Sequence, residues 1–593
     1  MMNSIEVTVE RMGLVSDRYR ISLVVLCTTF LILCGVSYKH SIFDHFESVS
    51  KEQAFEGGGQ NLGSTVQVNR DSEADKTCEG RGQNLTHKNL GSTVKAIADS
   101  EAVSKNFSFT NSAKDSSPLT RNHTTTDKLL LDGLIVSGSD KISCLSRFQS
   151  YLFRKASLYK PSRYLITKLR KYEDLHKRCG PHTRHYNKTM KELIRPRNKG
   201  HSSTLCKYMV WTPVNGLGNR MVSMASAFLY ALLTDRVLMV DFRDEMTGLF
   251  CEPFPNSSWI LPNDFSFRDG RRHFETYQNM LKKDRENSSR QVSSPLVLHL
   301  NLQHTSDNPE KFFHCDHSQD LLSNVPLLIL SSDQYFVPSL FIVPSFSQEL
   351  SKMFPERDTA FHHLGRYLFL PSNHVWGIIS RFCQAYMAGK DQRIGLQIRT
   401  FPDLSAHQVK MDQILRCAIR NKVLPELELR DSMISPWKNQ TKSVLVTSLY
   451  SYFGESLMTM YLTRPTVTGD IVGVYQPSHE EQQKFDDNMH NIKALTDIYL
   501  LSLCDVLVTS STSSFGYVAQ SLGGLKPWIL LKLVDENIPD PPCVQDFSME
   551  PCFHYPPKHD CMGKPLHKNG KAFPYTRACL DQTSGMKMVS DRE

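Results

Sequence analysis

The sequence of 593 residues lacks several motifs that mark common functional classes. None of its 15 cysteines forms a C-x-x-C pair, the spacing that zinc and redox sites use. No D-x-D pair of carboxylates is present, so the chain lacks a usual means of holding a divalent ion against a diphosphate. The net charge is a modest +8, with lysine and arginine spread widely, which argues against nucleic acid as a partner.

One segment, residues 21–38 (ISLVVLCTTFLILCGVSY), lacks charge altogether. It is long enough to span a thin bilayer as a helix. Arg11, Arg18 and Arg20 precede it and favour a cytoplasmic N-terminus. A cleaved signal peptide is the alternative, but no A-x-A-like cleavage site follows. We therefore predict a cytoplasmic tail over residues 1–20 and a single transmembrane anchor over residues 21–38.

Residues 39–140 have few aromatic side chains and no sustained apolar periodicity. Glycine, serine, asparagine, threonine and charged residues dominate this segment. The stretch NLGSTV begins at Asn61 and again at Asn89, which indicates a duplicated linker without an apolar face. Such a composition predicts a disordered, low-complexity stem.

Cysteines and glycosylation sequons indicate the compartment of the chain beyond the anchor. Most cysteines follow the anchor, and without C-x-x-C pairs we expect disulfides in an oxidising compartment. Cys543, Cys552, Cys561 and Cys579 could also bind a metal, and the pairing of the cysteines stays open. Seven N-x-[ST] glycosylation sequons follow the anchor, at Asn84, Asn106, Asn122, Asn187, Asn256, Asn287 and Asn439.

Strands alternate with helices in two stretches, residues 208–242 and 393–531. This alternation predicts parallel sheets with crossover helices. Between the two stretches, from about residue 250 to residue 386, the pattern is less regular. We predict an α/β fold with two Rossmann-like domains that face a cleft. The first covers residues 141–388, and the second covers residues 389–593 with a cysteine-rich tail.

A turn of five hydroxyl residues, Ser510 to Ser514, lies between a predicted strand and a predicted helix in VLVTSSTSSFGYVAQSLGGLKPWILL. The free N–H groups and the dipole at a helix N-terminus suit a phosphate group. The alternative is that these serines only cap the helix.

Two further features lie where α/β folds bind ligands. The loop NGLGNR, residues 215–220, follows a strand, but it matches neither the Walker A motif nor the full dinucleotide fingerprint. It is either a ligand-binding turn or a simple chain reversal. Arg399 follows the strand RIGLQI at the carboxyl edge of the predicted second sheet, where it could bind phosphate oxygens. The alternative for Arg399 is a surface ion pair.

Six segments, in order along the chain, resemble the plant galactoside α-(1,2)-fucosyltransferases, the xyloglucan fucosyltransferase family. They are NGLGNRMVSMASAFLYALLTDRVLMVDF, LFCEPFPNSSWILPNDF, RIGLQIRTF, GVYQPSHEE, VLVTSSTSSFGYVAQSLGGLKPWILL and SMEPCFHYPP. The resemblance implies a GT-B-like fold and a type II Golgi membrane protein whose catalytic domain is lumenal. It implies inverting transfer of L-fucose from GDP-fucose, without a metal or other cofactor. The implied acceptor is a terminal galactose on a xyloglucan-like cell-wall polysaccharide or an arabinogalactan glycoprotein.

The resemblance also implies site residues. Arg399 matches an arginine that contacts the nucleotide diphosphate, and it is our candidate for stabilising the leaving group. The residues that we assign to donor binding are Asn215, Gly216, Gly218, Asn219, Arg220, Arg399, Thr509, Ser510, Ser513, Ser514, Phe515, Gly516 and Tyr517. Tyr475 stands where the family has a histidine, and we assign it with Gln476 to the acceptor site.

The general base is not identified by any motif. Asp241, Asp307 and Asp403 are candidates, although the proton could also leave late, through water. Thr512 stands where the family has a tryptophan, which favours an alternative function. That alternative is a catalytically inactive lumenal protein of the same fold that binds a sugar nucleotide or a glycan. A homodimer is compatible with the sequence but is not indicated by it.

Overall fold

Strand β1, Lys207–Thr212, is apolar and buried over its four central residues. Tyr208 and Val210 pack into the core on one face of the sheet, and Met209 and Trp211 pack into the core on the other. A strand that is covered on both faces reads as a continuous apolar run, as parallel strands in α/β folds do.

In the computed structural model, the described residues are 130–135, 142–195, 206–268, 274–286, 294–304, 310–400, 404–428, 440–534, 536–566 and 573–590. All of them belong to one compact unit, Leu119–Glu593. The predicted tail and anchor, and all but a few residues of the predicted stem, lie outside these ranges. None of the described helices is long and apolar enough to cross a membrane.

The first sheet has five strands, all parallel, in the order β2-β1-β5-β4-β3. The strands after β1 are β2 Arg236–Val240, β3 Glu275–Thr276, β4 Val297–Asn301 and β5 Leu327–Ser331. Three of the five strands thus come from the stretch whose sequence pattern is less regular, where no individual strand was predicted. Short apolar runs such as LLILS in β5 cannot be distinguished from pieces of helix by periodicity alone.

The second sheet has six strands in the order β11-β10-β9-β6-β7-β8. Only β11 is antiparallel to its neighbour. The strands are β6 Gln392–Gln397, β7 Thr441–Thr447, β8 Ile471–Tyr475, β9 Val506–Ser510, β10 Trp528–Leu530 and β11 Cys543–Gln545. A small antiparallel pair near the C-terminus consists of β12 Thr576–Ala578 and β13 Met586–Met588. The prediction of an α/β fold with parallel sheets is confirmed, while the domain boundaries stay a prediction.

Fifteen α-helices surround and separate the two sheets in the described part of the chain. They are α1 Leu145–Gln149, α2 Arg163–Cys179, α3 Arg184–Ile194, α4 Leu217–Leu233, α5 Tyr277–Glu286, α6 Glu310–Phe313, α7 Asp316–Ser323, α8 Val337–Ile342, α9 Pro344–Met353, α10 Ala360–Leu368, α11 Asn373–Phe382, α12 Leu404–Arg420, α13 Tyr452–Thr463, α14 Asn488–Leu501 and α15 Ser514–Gly523. Helix α4 is buried on all sides except at Asn219. It packs against α10 and α15, so a single core joins the helices of both sheets.

Five disulfides confirm the prediction that the cysteines cross-link. They are Cys144–Cys251, Cys179–Cys206, Cys315–Cys561, Cys417–Cys543 and Cys552–Cys579. The four cysteines near the C-terminus that could have bound a metal are all in disulfides. The Cys315–Cys561 bond ties the C-terminal tail to α7, which follows the first sheet's β4. Cys383 and Cys504 are free and buried.

Candidate functional site

A large cavity of about 910 Å³ lies where the two loops singled out in the sequence meet. Residues 215–219, at the start of α4, line one side of it. Residues 513–515, at the start of α15, line another, together with Arg399 beyond the carboxyl end of β6. We call this space the large cavity. Two helix N-termini and an arginine therefore surround one volume.

The start of α15 leaves its backbone free for a ligand. Ser513 is the residue before the first turn, and its side chain makes no capping hydrogen bond. The first N–H groups of a helix have no partner within that helix. Ser513 therefore does not cap the helix with its side chain. The N–H groups of the first turn are available for an anion.

The start of α4 lies against the start of α15. The hydroxyl of Ser514 donates a hydrogen bond to the side-chain oxygen of Asn219. A methyl group at Gly218 would lie 2.7 Å from both the Ser514 Oγ and the Phe515 nitrogen. Glycine is thus required at position 218 for this close approach. The contact fixes the two helix N-termini relative to each other.

Arg399 is held by its backbone and extends into the large cavity. Its N–H donates to Ser510 Oγ at 2.9 Å, and its Nη1 donates to the Thr512 carbonyl oxygen at 3.2 Å. Its side chain is otherwise exposed. Within the described part of the chain, no carboxylate forms an ion pair with Arg399, so the surface ion-pair alternative is not met there. The guanidinium keeps donors that can bind phosphate oxygens.

The predicted donor-binding residues fall into two groups. Those that line the large cavity are Asn215, Gly216, Gly218, Asn219, Arg399, Ser513, Ser514 and Phe515. Thr509, Ser510, Gly516 and Tyr517 lie behind it, buried. Ser510 Oγ holds the backbone of Arg399, and the Tyr517 hydroxyl donates to the Asp581 carboxylate. The second group supports the site rather than lining it.

Arg220 is placed differently from our assignment. It is buried, it pairs with Glu245 at 3.4 Å, and its Nε donates to the Asn215 carbonyl oxygen at 2.7 Å. Arg220 does not line the large cavity; it stabilises the loop through the Asn215 carbonyl oxygen and bonds to the Phe485 carbonyl oxygen at 3.5 Å. The sequence could not show this, because the ion-pair partner is distant along the chain.

Tyr475 and Gln476 do not line the large cavity, and their assignment to an acceptor site stays a prediction. The Tyr475 ring packs on Tyr386, with ring centroids 4.7 Å apart. The Gln476 amide donates to the carbonyl oxygens of Ser448 and Tyr450, at 3.2 and 3.1 Å. Both side chains stabilise the end of β8 and the loop after it.

The role of Asp241 as general base stays a prediction. Its carboxylate is buried beside two arginines, with Arg268 at 3.4 Å and Arg243 at 3.8 Å, and it does not line the large cavity. Asp307 and Asp403 lie outside the described residues.

A histidine and an aspartate form a pair that the sequence did not reveal. The His304 Nδ1 bonds to the buried Asp333 carboxylate, which also accepts from the Asn215 amide at 2.8 Å. His304 keeps 39% of its side chain exposed. The pair lies beyond the carboxyl ends of β4 and β5, next to the loop that lines the large cavity, and reaches that cavity through Asn215 rather than lining it. No spacing motif joins His304 to Asp333, so only the fold could reveal the pair.

Asp497 and Phe485 also line the large cavity and were missed. Asp497 accepts from Ser478 Oγ at 2.7 Å, while its Oδ1 has no partner. Burial raises the pKa of Asp497 to about 7. Phe485 is 51% exposed, which leaves an aromatic face open for stacking. Neither residue belongs to a recognisable motif in the sequence.

Two of the seven predicted glycosylation sequons lie in the described residues. Asn187 and Asn256 are both exposed, as acceptor asparagines must be. The other five, at Asn84, Asn106, Asn122, Asn287 and Asn439, lie outside the described residues.

Comparisons with known proteins assign the chain to a family. Residues 100–562 match the model of the family described as xyloglucan fucosyltransferase. A galactoside 2-alpha-L-fucosyltransferase from Pisum sativum is 49% identical over 466 residues, covering 78% of this chain and 82% of the relative. The protein of the same name from Arabidopsis thaliana is 49% identical over 469 residues, covering 78% and 83%.

A solved structure supports the same assignment. The structure of a mutant of Arabidopsis thaliana FUT1 in complex with GDP superposes with a TM-score of 0.71 at 48% identity. The match covers 78% of this chain and 100% of that chain. The family resemblance noted in the sequence is thus confirmed, and the chain belongs to the xyloglucan fucosyltransferase family of glycosyltransferases.

Proposed function

We propose that this chain transfers L-fucose from GDP-fucose to the 2-hydroxyl of a terminal galactose on a cell-wall glycan. The observation that carries the proposal is the convergence of two helix N-termini and Arg399 on one cavity. The GDP complex of the similar Arabidopsis structure supports a nucleotide-sugar donor. The acceptor is a xyloglucan-like polysaccharide or an arabinogalactan glycoprotein.

The chemistry is an inverting displacement. The galactose 2-hydroxyl attacks the anomeric carbon of fucose, and GDP leaves from the opposite face. Negative charge then grows on the β-phosphate, which Arg399 and the N–H groups of the α15 N-terminus stabilise. Donors that are already in place need no reorganisation as that charge develops.

His304 is the proposed general base. The Asp333 carboxylate accepts the Nδ1 proton, which leaves Nε2 as the nitrogen that takes the proton of the attacking hydroxyl. Asn215 links this pair to the loop at the large cavity. General base catalysis contributes about 10²- to 10⁴-fold, so His304→Gln should lower kcat by that range. A variant with unchanged kcat would leave water as the proton acceptor.

No divalent ion is assigned to this site. Arg399 and the two helix N-termini supply the positive charge that a metal supplies in enzymes with a D-x-D motif. The corresponding test is turnover in the presence of a chelator, which should proceed at an undiminished rate. Loss of turnover that Mg²⁺ or Mn²⁺ restores would contradict the metal-free mechanism.

The proposed cellular setting is the Golgi membrane. Residues 21–38 would anchor the chain with its N-terminus in the cytoplasm, and the glycosylated catalytic part would face the lumen. Exposed Asn187 and Asn256 and the five disulfides are consistent with that setting. Protease protection of sealed Golgi vesicles tests the topology.

The decisive experiment is GDP release from GDP-fucose with a panel of acceptors. Xyloglucan, arabinogalactan and the same polymers treated with galactosidase form matched pairs. We expect release, and fucose linked α-(1,2) to galactose, only with galactosylated acceptors. Binding of GDP without release on any acceptor would instead support the inactive binding protein, which Thr512 originally suggested.

A further inference from the structure

A second cavity, of about 280 Å³, lies at the opposite end of α15 from the large cavity. It is lined by residues 154–159, 502–505 and 523–525, together with His362, Arg366 and Arg393. Helix α15 begins at the large cavity and ends here, and ten residues of helix span about 15 Å. The two cavities share no lining residue. The second one, called the basic cavity, is thus a separate site.

Positive charge exceeds negative charge in the basic cavity. Its lining includes four cationic side chains, Arg154, Lys155, Arg366 and Arg393. The single carboxylate in the lining is Asp505, which pairs with Lys155 at 2.7 Å and with Arg393 at 3.0 Å. Asp505 is therefore already shared between two cations.

Arg154 and Arg366 have no carboxylate partner in the described part of the chain. Arg154 donates to the carbonyl oxygen of Leu522 at 2.7 Å and to the hydroxyl of Ser502 at 3.1 Å. These neutral acceptors orient the guanidinium without cancelling its charge. Arg366 also bonds to a neutral acceptor, and it is more deeply buried than Arg154.

Arg366 is only 8% exposed, and its Nε has no hydrogen-bond partner. Its Nη1 bonds to His362 Nε2 at 3.2 Å. The His362 Nδ1 donates to the Ser521 carbonyl oxygen at 2.7 Å, so the ring accepts at Nε2 and is neutral. Burial, with the nearby charge of Arg154, lowers the pKa of Arg366 to about 10. A buried cation without a counter-ion is costly, and an anion in this cavity would offset that cost.

We propose that the basic cavity binds a small free oxyanion of the phosphate or sulfate type. The cavity is large enough for a tetrahedral anion, and the guanidinium groups of Arg154 and Arg366, with five N–H donors each, keep donors for its oxygens beyond those already in use. Lys155, with 74% of its side chain exposed, lies at the rim and adds long-range attraction. Phosphate esters, such as a lipid headgroup, present the same chemistry but carry an extra substituent.

The test measures the binding of radiolabelled inorganic phosphate to the full chain by equilibrium dialysis. Arg366→Met should lose one bound phosphate per chain, whereas Arg416→Ala, on the exposed side of α12, should keep it. Lys155→Met should weaken that binding several-fold, and its exposed position makes misfolding no concern. Equal binding by the wild type, Arg366→Met and Lys155→Met would overturn the proposal.

Thermal unfolding distinguishes the sources of the anion. Inorganic phosphate should raise the midpoint of the wild type more than chloride does at equal ionic strength, because it binds only the folded state. The midpoint of Arg366→Met should lack this increment and should not lie below that of the wild type without phosphate. A rise with glycerol 3-phosphate but none with inorganic phosphate or sulfate would assign the cavity to a phosphate ester and overturn the proposal of a free anion.

Discussion

The Arg399 guanidinium donates a hydrogen bond to the Thr512 carbonyl oxygen at 3.2 Å. The Thr512 N–H donates in turn to the Asp581 carboxylate at 2.8 Å. Both bonds use backbone atoms of Thr512, so its side chain does not position Arg399. The departure from the family tryptophan at this position therefore leaves the arginine in place. This relationship favours an active enzyme over an inactive descendant.

Arg399→Ala should lower kcat/KM for GDP-fucose by about 10²- to 10³-fold, because it removes a donor to the charge that develops on the leaving GDP. Initial rates of GDP release measure the effect, and circular dichroism checks that the fold is kept. Arg399→Lys should recover only part of the rate, since an ammonium cannot form the paired bonds of a guanidinium. The control is Arg416→Ala, on the exposed side of α12, which should leave the rate unchanged. Rates near those of the wild type for Arg399→Ala would remove this arginine from the mechanism.

Thr512→Asn should stabilise the chain by about 1 kcal/mol and keep turnover within a few-fold of the wild type. Thr512 has φ 50°, a left-handed conformation that β-branched residues adopt at a cost and that asparagine tolerates. The two backbone hydrogen bonds are unaffected by the change. Urea denaturation measures the free energy of unfolding, with the neighbouring Ser511→Asn as control. A loss of stability or a large loss of activity would show that the Thr512 side chain has a role of its own.

Gly218→Ala should raise KM for GDP-fucose at least tenfold, because the new methyl group would force the α4 and α15 N-termini apart. The matched control is Gly216→Ala in the same loop, where the nearest atom to the new methyl group is Phe485 Cε1, at 4.0 Å. We expect Gly216→Ala to lower the free energy of unfolding less than Gly218→Ala does. If calorimetry showed that both variants bind GDP as well as the wild type, the close contact between the α4 and α15 N-termini would not be needed for GDP binding.

The second sheet could be predicted from the sequence because its strands and helices alternate at short spacing from residue 393 onward. In the first sheet, β1 and β2 could be predicted in the same way, but β3, β4 and β5 could not, because β3 has only two residues and short apolar runs cannot be distinguished from pieces of helix. The loop at residues 215–219, Arg399 and the turn at residues 513–515 were found because each follows an apolar strand, the point where α/β folds bind ligands.

The sequence could not predict contacts between residues that are far apart along the chain. His304 and Asp333 meet only because β4 and β5 are neighbours in the sheet. In the sequence, Arg220 looks like part of a ligand-binding loop, and only the fold shows its ion pair with Glu245. The disulfide partners likewise depend on the fold, because the positions of the cysteines in the sequence allow many pairings.

Stability should depend on Asp497 between about pH 4 and pH 7. Burial raises the pKa of this carboxyl to about 7, so the folded state holds a proton that the unfolded state has already lost. The free energy of unfolding therefore falls as the pH rises through this window, and it changes no further above it. Asp497→Asn keeps an acceptor for Ser478 and should stabilise the chain at pH 8 but not at pH 4.

The gain at pH 8 should be of the order of 2–4 kcal/mol, from a pKa shift of roughly three units. Urea denaturation at both pH values measures it. Asp174→Asn, on the exposed face of α2, is the control and should leave the pH dependence unchanged. Equal pH dependence in the wild type and Asp497→Asn would mean that this carboxyl is ionised in the folded chain.

A crystal structure of the chain with GDP tests most directly whether the two helix N-termini and Arg399 form the diphosphate site. We expect the β-phosphate oxygens within hydrogen-bond distance of the Arg399 guanidinium and of backbone N–H groups in the first turn of α15. We also expect the guanine ring in the large cavity, near Phe485. A diphosphate bound elsewhere, or bound in this cavity without contact to Arg399 and the α15 N-terminus, would contradict the proposed site.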